Sequence, residues 1–245
     1  MADIPQKLAV LIDADNTSPK HTQAIFDEIA RLGEASVRRC YGDFSSPQMS
    51  GWSKVQAEFG LVPYHQPANT TGKNASDIAL VIDAMDLMHS GRFDGFVLVS
   101  SDSDFTRLAS RIREQALDVF GIGQMKTPDA FRKACKRFIY IENLSLDAEA
   151  SAELHPDDKT AEATKGAEKK KADKARSLIT KAMEAIEQEE EWYPLSTIGS
   201  RIVAAHPDFD TRTYGHKKLS DLVSSLKQFE LRRGQGKPVS VRLKS

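Results

Sequence analysis

Asp102 and Asp104 stand at i and i+2 just past FVLVS, an apolar run of strand length from Phe96 to Ser100, with Ser101 between. LAVLI, from Leu8 to Ile12, empties in the same way into Asp13, Asp15 and Asn16, and Asp77 opens a third apolar stretch, DIALVIDAMDLM. Residues just past the carboxyl end of a parallel strand stand at the rim where α/β proteins bind ligands. Acids delivered there suit a hard divalent ion, because Mg²⁺ and Mn²⁺ take oxygen ligands and Mg²⁺ keeps several waters. An ion so held activates water, orients a phosphate and offsets charge on a leaving oxygen, as phosphodiester hydrolysis requires. Each acid alone has a plainer role. Asp15, Thr17 and Ser18 suit a cap or turn, and Asp77 suits the positive end of a helix. Convergence of three segments on one metal site is the reading that uses all of them.

The elements that must position these acids alternate. LAVLI is followed by PKHTQAIFDEIARLG, with Ser18 as N-cap, Pro19 at the first helical position and Gly33 near the stop. ASVRRCYGD reads as a strand, GWSKVQAEFG as a short helix and LVPYHQP as a strand; a helix from about Ser76 to His89 then precedes FDGFVLVSS. DFTRLASRIREQA (helix), LDVFGIG (strand), TPDAFRKACKRF (helix) and IYIEN (strand) complete the series. Such alternation predicts an α/β fold, a mainly parallel sheet with helices on both faces. Val10, Leu11, Ile12, Phe96 to Val99, Val119 and Phe120 form its expected core. On the third helix Asp83 and Asp86 lie roughly 240° and 180° round from Asp77, at about 100° per residue. Neither shares Asp77's face, so Asp86 is expected in solvent and Asp83 is expected to order a neighbouring loop. His65 and His89 read as structural or surface residues. Lys73, in TTGKNASD, is a candidate phosphate contact, although TTGK lacks the spacing of a Walker A loop.

From about residue 147 to 173 large apolar residues almost vanish among Ala, Glu, Asp, Lys and Thr. A charged, flexible linker is expected there, with partial helix allowed by its good helix formers. Residues 1–146 then form the α/β domain and 174–245 a second, small one. In the latter, helical patterns over Leu178–Ile186, Leu195–Ala205 and Lys218–Leu226 precede FELRR and VSVRL, separated by the turn GQGKP. Three helices and a hairpin describe a winged helix, a fold that meets nucleic acid.

Formal net charge is −1, so no global field announces a partner, but from Arg201 onward ten basic residues face four acids. The two cysteines form no CxxC pair, which speaks against a disulfide scaffold and a structural zinc. With no apolar run of membrane-span length and no signal-peptide pattern at the start, a cytoplasmic protein without a membrane partner is expected.

LIDADN, YGD, KNASDIALVIDAMDL and LVSSDSDF together resemble the NYN domains, a branch of the PIN-like nuclease superfamily, over about Lys7 to Asn143. The resemblance implies a Rossmann-like fold, an acidic Mg²⁺ or Mn²⁺ site and ribonuclease activity leaving 5′-phosphate and 3′-hydroxyl ends. It carries metal-ligand roles to Asp13, Asp77 and Asp102, with Asp104 supporting, and to Asn16 the orientation of metal-bound water or phosphate. Asp43 and Asp83 fall in family-like positions without an assigned role. LSTIGSRIVAAHPDFDTRTYGHKKLSDLVSSL with VSVRL resembles the OST-HTH, or LOTUS, domain, a winged helix associated with RNA binding. Its candidate RNA contacts are Tyr214, His216, Lys217, Lys218, Arg232 and Arg233; the plainer reading makes Tyr214 and Phe229 core and the lysines solvated. RNA is the expected partner, and a protein partner through the C-terminal domain is compatible with the same surface.

Two other functions compete with a ribonuclease. A non-catalytic RNA-binding adaptor would carry the same acids without turnover. DADNT also fits the DxDxT motif of haloacid-dehalogenase-type phosphatases, with Asp13 as nucleophile and Asp15 as acid and base.

Overall fold

Leu8, Val10 and Ile12 point to one side of β1 (Lys7–Asp13), Ala9 and Leu11 to the other, and all five are fully buried. Such a strand needs cover on both faces. In the computed structural model, which describes residues 5–66, 75–144, 161–188, 191–233 and 238–244 (without side chains at 48 and 161–169), it receives that cover. The chain divides into two compact units, Met1–Ser151 and Ala152–Ser245.

In the first unit β2 (Glu34–Gly42), β3 (Val62–His65), β4 (Gly95–Val99), β5 (Asp118–Gly123) and β6 (Arg137–Tyr140) join β1 in a parallel sheet of order β3-β2-β1-β4-β5-β6. Helices α1 (Thr22–Leu32) and α2 (Ser50–Phe59) cover one face through Ile25, Ile29 and Trp52. The other face packs against α3 (Ala75–His89), α4 (Thr106–Glu114) and α5 (Asp129–Ala134) through Leu80, Ala84, Leu108, Ile112 and Phe131. Every residue expected in the core is buried. Strand order reverses between β1 and β4, so the crevice that serves α/β folds as a binding site lies between their carboxyl ends.

The last helix and strand differ from the sequence pattern. Instead of a helix through Phe138, α5 stops at Ala134, Cys135 is extended and β6 starts at Arg137. Tertiary packing overrides local propensity here: Lys136 N–H bonds the Val119 carbonyl, and Phe138 meets Phe131 edge-on inside the core.

In the second unit α6 (Ala161–Glu184) begins well inside the expected linker, and its half from Ala175 onward is anchored by Ala175, Ile179 and Met183. These meet Ile198 and Ile202 of α7 (Leu195–Ala205), Leu222 and Val223 of α8 (Leu219–Ser225), and Phe229 and Val241. The hairpin β8 (Phe229–Arg232) and β9 (Ser240–Leu243) gains a short third strand, β7 (Tyr193–Pro194), in the order β7-β9-β8. A helical unit with a small antiparallel sheet thus follows the parallel α/β unit. Among the described residues no helix is long and apolar enough to cross a membrane.

Candidate active site

Parallel pairing of Ile12 with Val99 brings the next residues of the two strands, Asp13 and Ser100, side by side at the sheet's carboxyl rim. Asp13 is 1% exposed and accepts three hydrogen bonds: Ser100 Oγ at 2.6 Å and Asn16 Nδ2 at 2.9 Å on Oδ2, and Asn16 N–H at 3.2 Å on Oδ1. Burial raises its pKa, while the bonds from Ser100 and Asn16 oppose that rise and Asp15 adds to it. Ser100 is the link between the strands. Its hydroxyl donates to Asp13 and accepts from Asp102 N–H at 3.1 Å, and the Asp102 carboxylate accepts from Asp104 N–H at 2.9 Å. Gly123 permits the close packing behind it, because a Cβ there would stand 2.4 Å from the Ser100 carbonyl oxygen.

Asp77 sits in the first turn of α3, where the helix dipole favours a carboxylate. Its pKa is nevertheless pushed up to about 6, first by burial and then by Asp13, Asp102, Asp15 and Asp104. Those acids come from the ends of β1 and β4, so the expected segments do meet at one rim. Asp15 is no cap of its own helix; it accepts from Ser76 Oγ at 2.7 Å and Asp43 N–H at 3.3 Å, tying β1 to α3 and to the end of β2. His65 Nδ1 stands 4.0 Å from Asp43 Oδ1, at the outer side of this rim.

A shallow cleft of about 250 Å³ opens beside the acids, lined by Asn16, Ser101, Asp102, Ser103, Lys126 and Pro128. Lys126 had no motif to mark it; its place just past the end of β5, next to β4 in the sheet, is the signal that could have found it. The candidate Lys73 lies outside the described residues. Asp83 is set apart from the acids and meets a strand where a loop was expected: it pairs with Arg39, accepts from Tyr41 hydroxyl and thereby fastens α3 to β2. Asp86 is exposed.

The donors fit a hard cation by type and by electrostatics, since five carboxylates crowd one rim and one of them is held up near pH 6. Among the described residues no three His, Cys, Asp or Glu side chains are set to hold one ion between them. Mg²⁺ needs only one or two direct carboxylates when waters complete its shell, so this does not conflict with the donor set.

A model of the NYN domain matches residues 7–142. The chain belongs to the NYN domain family. The OST-HTH/LOTUS domain model matches residues 169–241, after it in the chain. A crystal structure of a protein of unknown function from Vibrio parahaemolyticus is similar to 58% of this chain and 96% of its own, with 18% identity and a TM-score of 0.50, a likeness of fold. No curated protein matches. An NYN domain with an OST-HTH/LOTUS domain supports an RNA-related nuclease.

The candidate RNA contacts of the LOTUS unit separate into two groups. Tyr214 and His216 are half-buried, and Lys217 and Lys218 exposed, around the start of α8. Tyr214 leans on Phe209 at 5.7 Å, and burial with Asp208 nearby pushes its hydroxyl up to about 12. Phe229 is core, as the plainer reading had it. Arg232 instead stacks on Trp192 at 4.5 Å, a ring shared with Arg242 at 4.8 Å, and Arg233 is exposed beside it.

Proposed function

We propose that the NYN unit hydrolyses RNA phosphodiester bonds in the cytoplasm, using Mg²⁺ or Mn²⁺, while the LOTUS unit holds the RNA. The observation that carries this is the gathering of Asp13, Asp15, Asp102 and Asp104, from the ends of β1 and β4, around Asp77 at the start of α3, at the strand-order reversal. Asp13, Asp77 and Asp102 are the proposed ligands, with Asp104 supporting. A bound ion would supply an activated water and offset charge on the phosphate. Asn16 and Ser100 fix Asp13, and Ser100 couples it to Asp102. Three of the four or so lone-pair sites of Asp13 are filled, leaving room for a small ion on Oδ1. Asp15, the acid and base of the phosphatase reading, is engaged instead by Ser76 and the Asp43 N–H, which disfavours that reading. Lys126 is placed to contact a phosphate in the cleft.

The test is cleavage of end-labelled single-stranded RNA in Mn²⁺, Mg²⁺ or EDTA, with Asp13→Asn and Asp102→Asn. Cutting that needs metal and disappears in both variants is expected; cutting unchanged in both overturns the site. The RNA-binding adaptor draws on the lack of a ready-made three-ligand cluster among the described residues. Thermal stabilisation by Mn²⁺ without cleavage across many RNAs would select it.

A further inference from the structure

The LOTUS unit holds a cavity of about 420 Å³ where α6, the turn Thr211–Tyr214 and α8 meet. Leu222 and Leu226, both buried, supply apolar lining, as does the Tyr214 ring with Phe209 behind it. Lys171 and His216 bring the basic groups, and among the described residues no acid lines the cavity. Gly215 takes φ 79°, a left-handed turn that lets Tyr214 and His216 line the same space, and a Cβ there would meet nothing within 4 Å. Lys171 falls in the stretch expected to be a charged linker, and α6 carries it to the cavity.

This volume lies near the low end of the ~300–1,000 Å³ typical of small-molecule sites. A helix, about 10 Å across with its side chains, does not fit, and neither does a nucleic-acid duplex. Apolar lining with one aromatic ring suits the flat face of a base, and the Lys171 ammonium with the His216 ring N–H beside it suits its phosphate. Single-stranded RNA is read by such means, through bases splayed out onto aromatic side chains.

We propose that the cavity takes one unstacked ribonucleotide of a bound RNA strand, its base against Tyr214, Leu222 and Leu226 and its phosphate against Lys171 and His216. This rests on reading the LOTUS unit as an RNA-binding module. Bases in a duplex cannot enter, so the cavity makes the unit selective for single strands.

Ala172→Phe tests this directly, because Ala172 lines the cavity from an exposed helical position and the larger ring fills it without changing charge. The full-length chain is titrated in EDTA with a labelled single-stranded RNA and with its blunt duplex, at several salt concentrations. Ala172→Phe is expected to weaken single-strand binding at least tenfold, leaving duplex binding and the salt slope as in the parent. Lys171→Glu, on an exposed side chain, is expected to weaken single-strand binding and to lower the log–log salt slope by at least the ~0.7 of one lost phosphate contact. Ala172→Phe binding like the parent, or losing single strand and duplex equally, overturns the proposal. A parent that binds neither RNA overturns the RNA-binding reading itself, a distinct result. If mixed 5′-mononucleotides raise the melting temperature of the parent but not of Ala172→Phe, while RNA binding ignores the substitution, the ligand is a free nucleotide and the strand is excluded.

Discussion

The NYN unit gathers like charge, whereas the LOTUS unit disperses it. At the rim of the first, Asp13, Asp15, Asp77, Asp102 and Asp104 lie close enough that four of them raise the pKa of the fifth. In the second, Arg212 is paired with Asp210, Arg232 and Arg242 share Trp192, Arg242 also meets Glu191 and Glu230, and Lys217 and Lys218 face water. Dispersed surface cations cost the fold little and suit sequence-independent phosphate contact. Gathered carboxylates cost stability until a cation joins them, so their clustering is the stronger sign of chemistry.

The largest effects should come from breaking the gathered side. Ser100→Ala removes the hydroxyl that joins Asp13 to Asp102, yet leaves every proposed ligand side chain in place. As a positioning substitution it is expected to lower metal affinity or activity by about 10–100-fold. Manganese titration of the cleavage rate checks this: a shifted midpoint restored by excess metal identifies positioning, and an unchanged midpoint removes Ser100 from the site. Lys126→Ala should act more weakly, with a roughly tenfold rise in KM at little change in kcat, as expected for an exposed charged contact to phosphate. Steady-state kinetics on one short RNA separates the two parameters.

Asp83→Asn sharpens the boundary of the acidic group. The substitution weakens the ties to Arg39 and Tyr41 and is expected to cost about 1–3 kcal/mol in a urea melt, with cleavage by the folded protein intact. Loss of activity under conditions where the variant is fully folded would instead place Asp83 in the chemistry.

Strand runs such as LAVLI and FVLVS made the sheet legible, because a strand buried on both faces has to be apolar throughout. The acids were legible beside such runs, Asp13 and Asp102 just past a strand and Asp77 at the head of an apolar helix. Ser100 was hidden inside the run FVLVS, since its role depends on β1 lying beside it. Lys126 and the Asp83–Arg39 pair likewise depend on neighbours remote in sequence. The C-terminal end of α5 gave way to the burial of Phe138, and a lysine-rich stretch that looked like linker continues a helix whose anchoring residues, Ala175 and Ile179, lie just beyond it.

The smallest expected effect isolates the electrostatic cost of gathering. In EDTA the folded Asp77 carboxyl holds its proton up to about pH 6, above its ordinary value of 3.8. Between those values the folded state binds more protons than the unfolded one, so stability falls as pH rises through the interval and stays lower above it. Asp77→Asn removes that term. The variant should therefore melt higher than the parent at pH 8, and the two should converge near pH 4. Added Mn²⁺ at pH 8 should raise the parent's melting temperature more than the variant's, narrowing or reversing the gap. Equal melting at both pH values would mean that the acids do not strain one another, and the contrast between gathered and dispersed charge would lose its energetic basis.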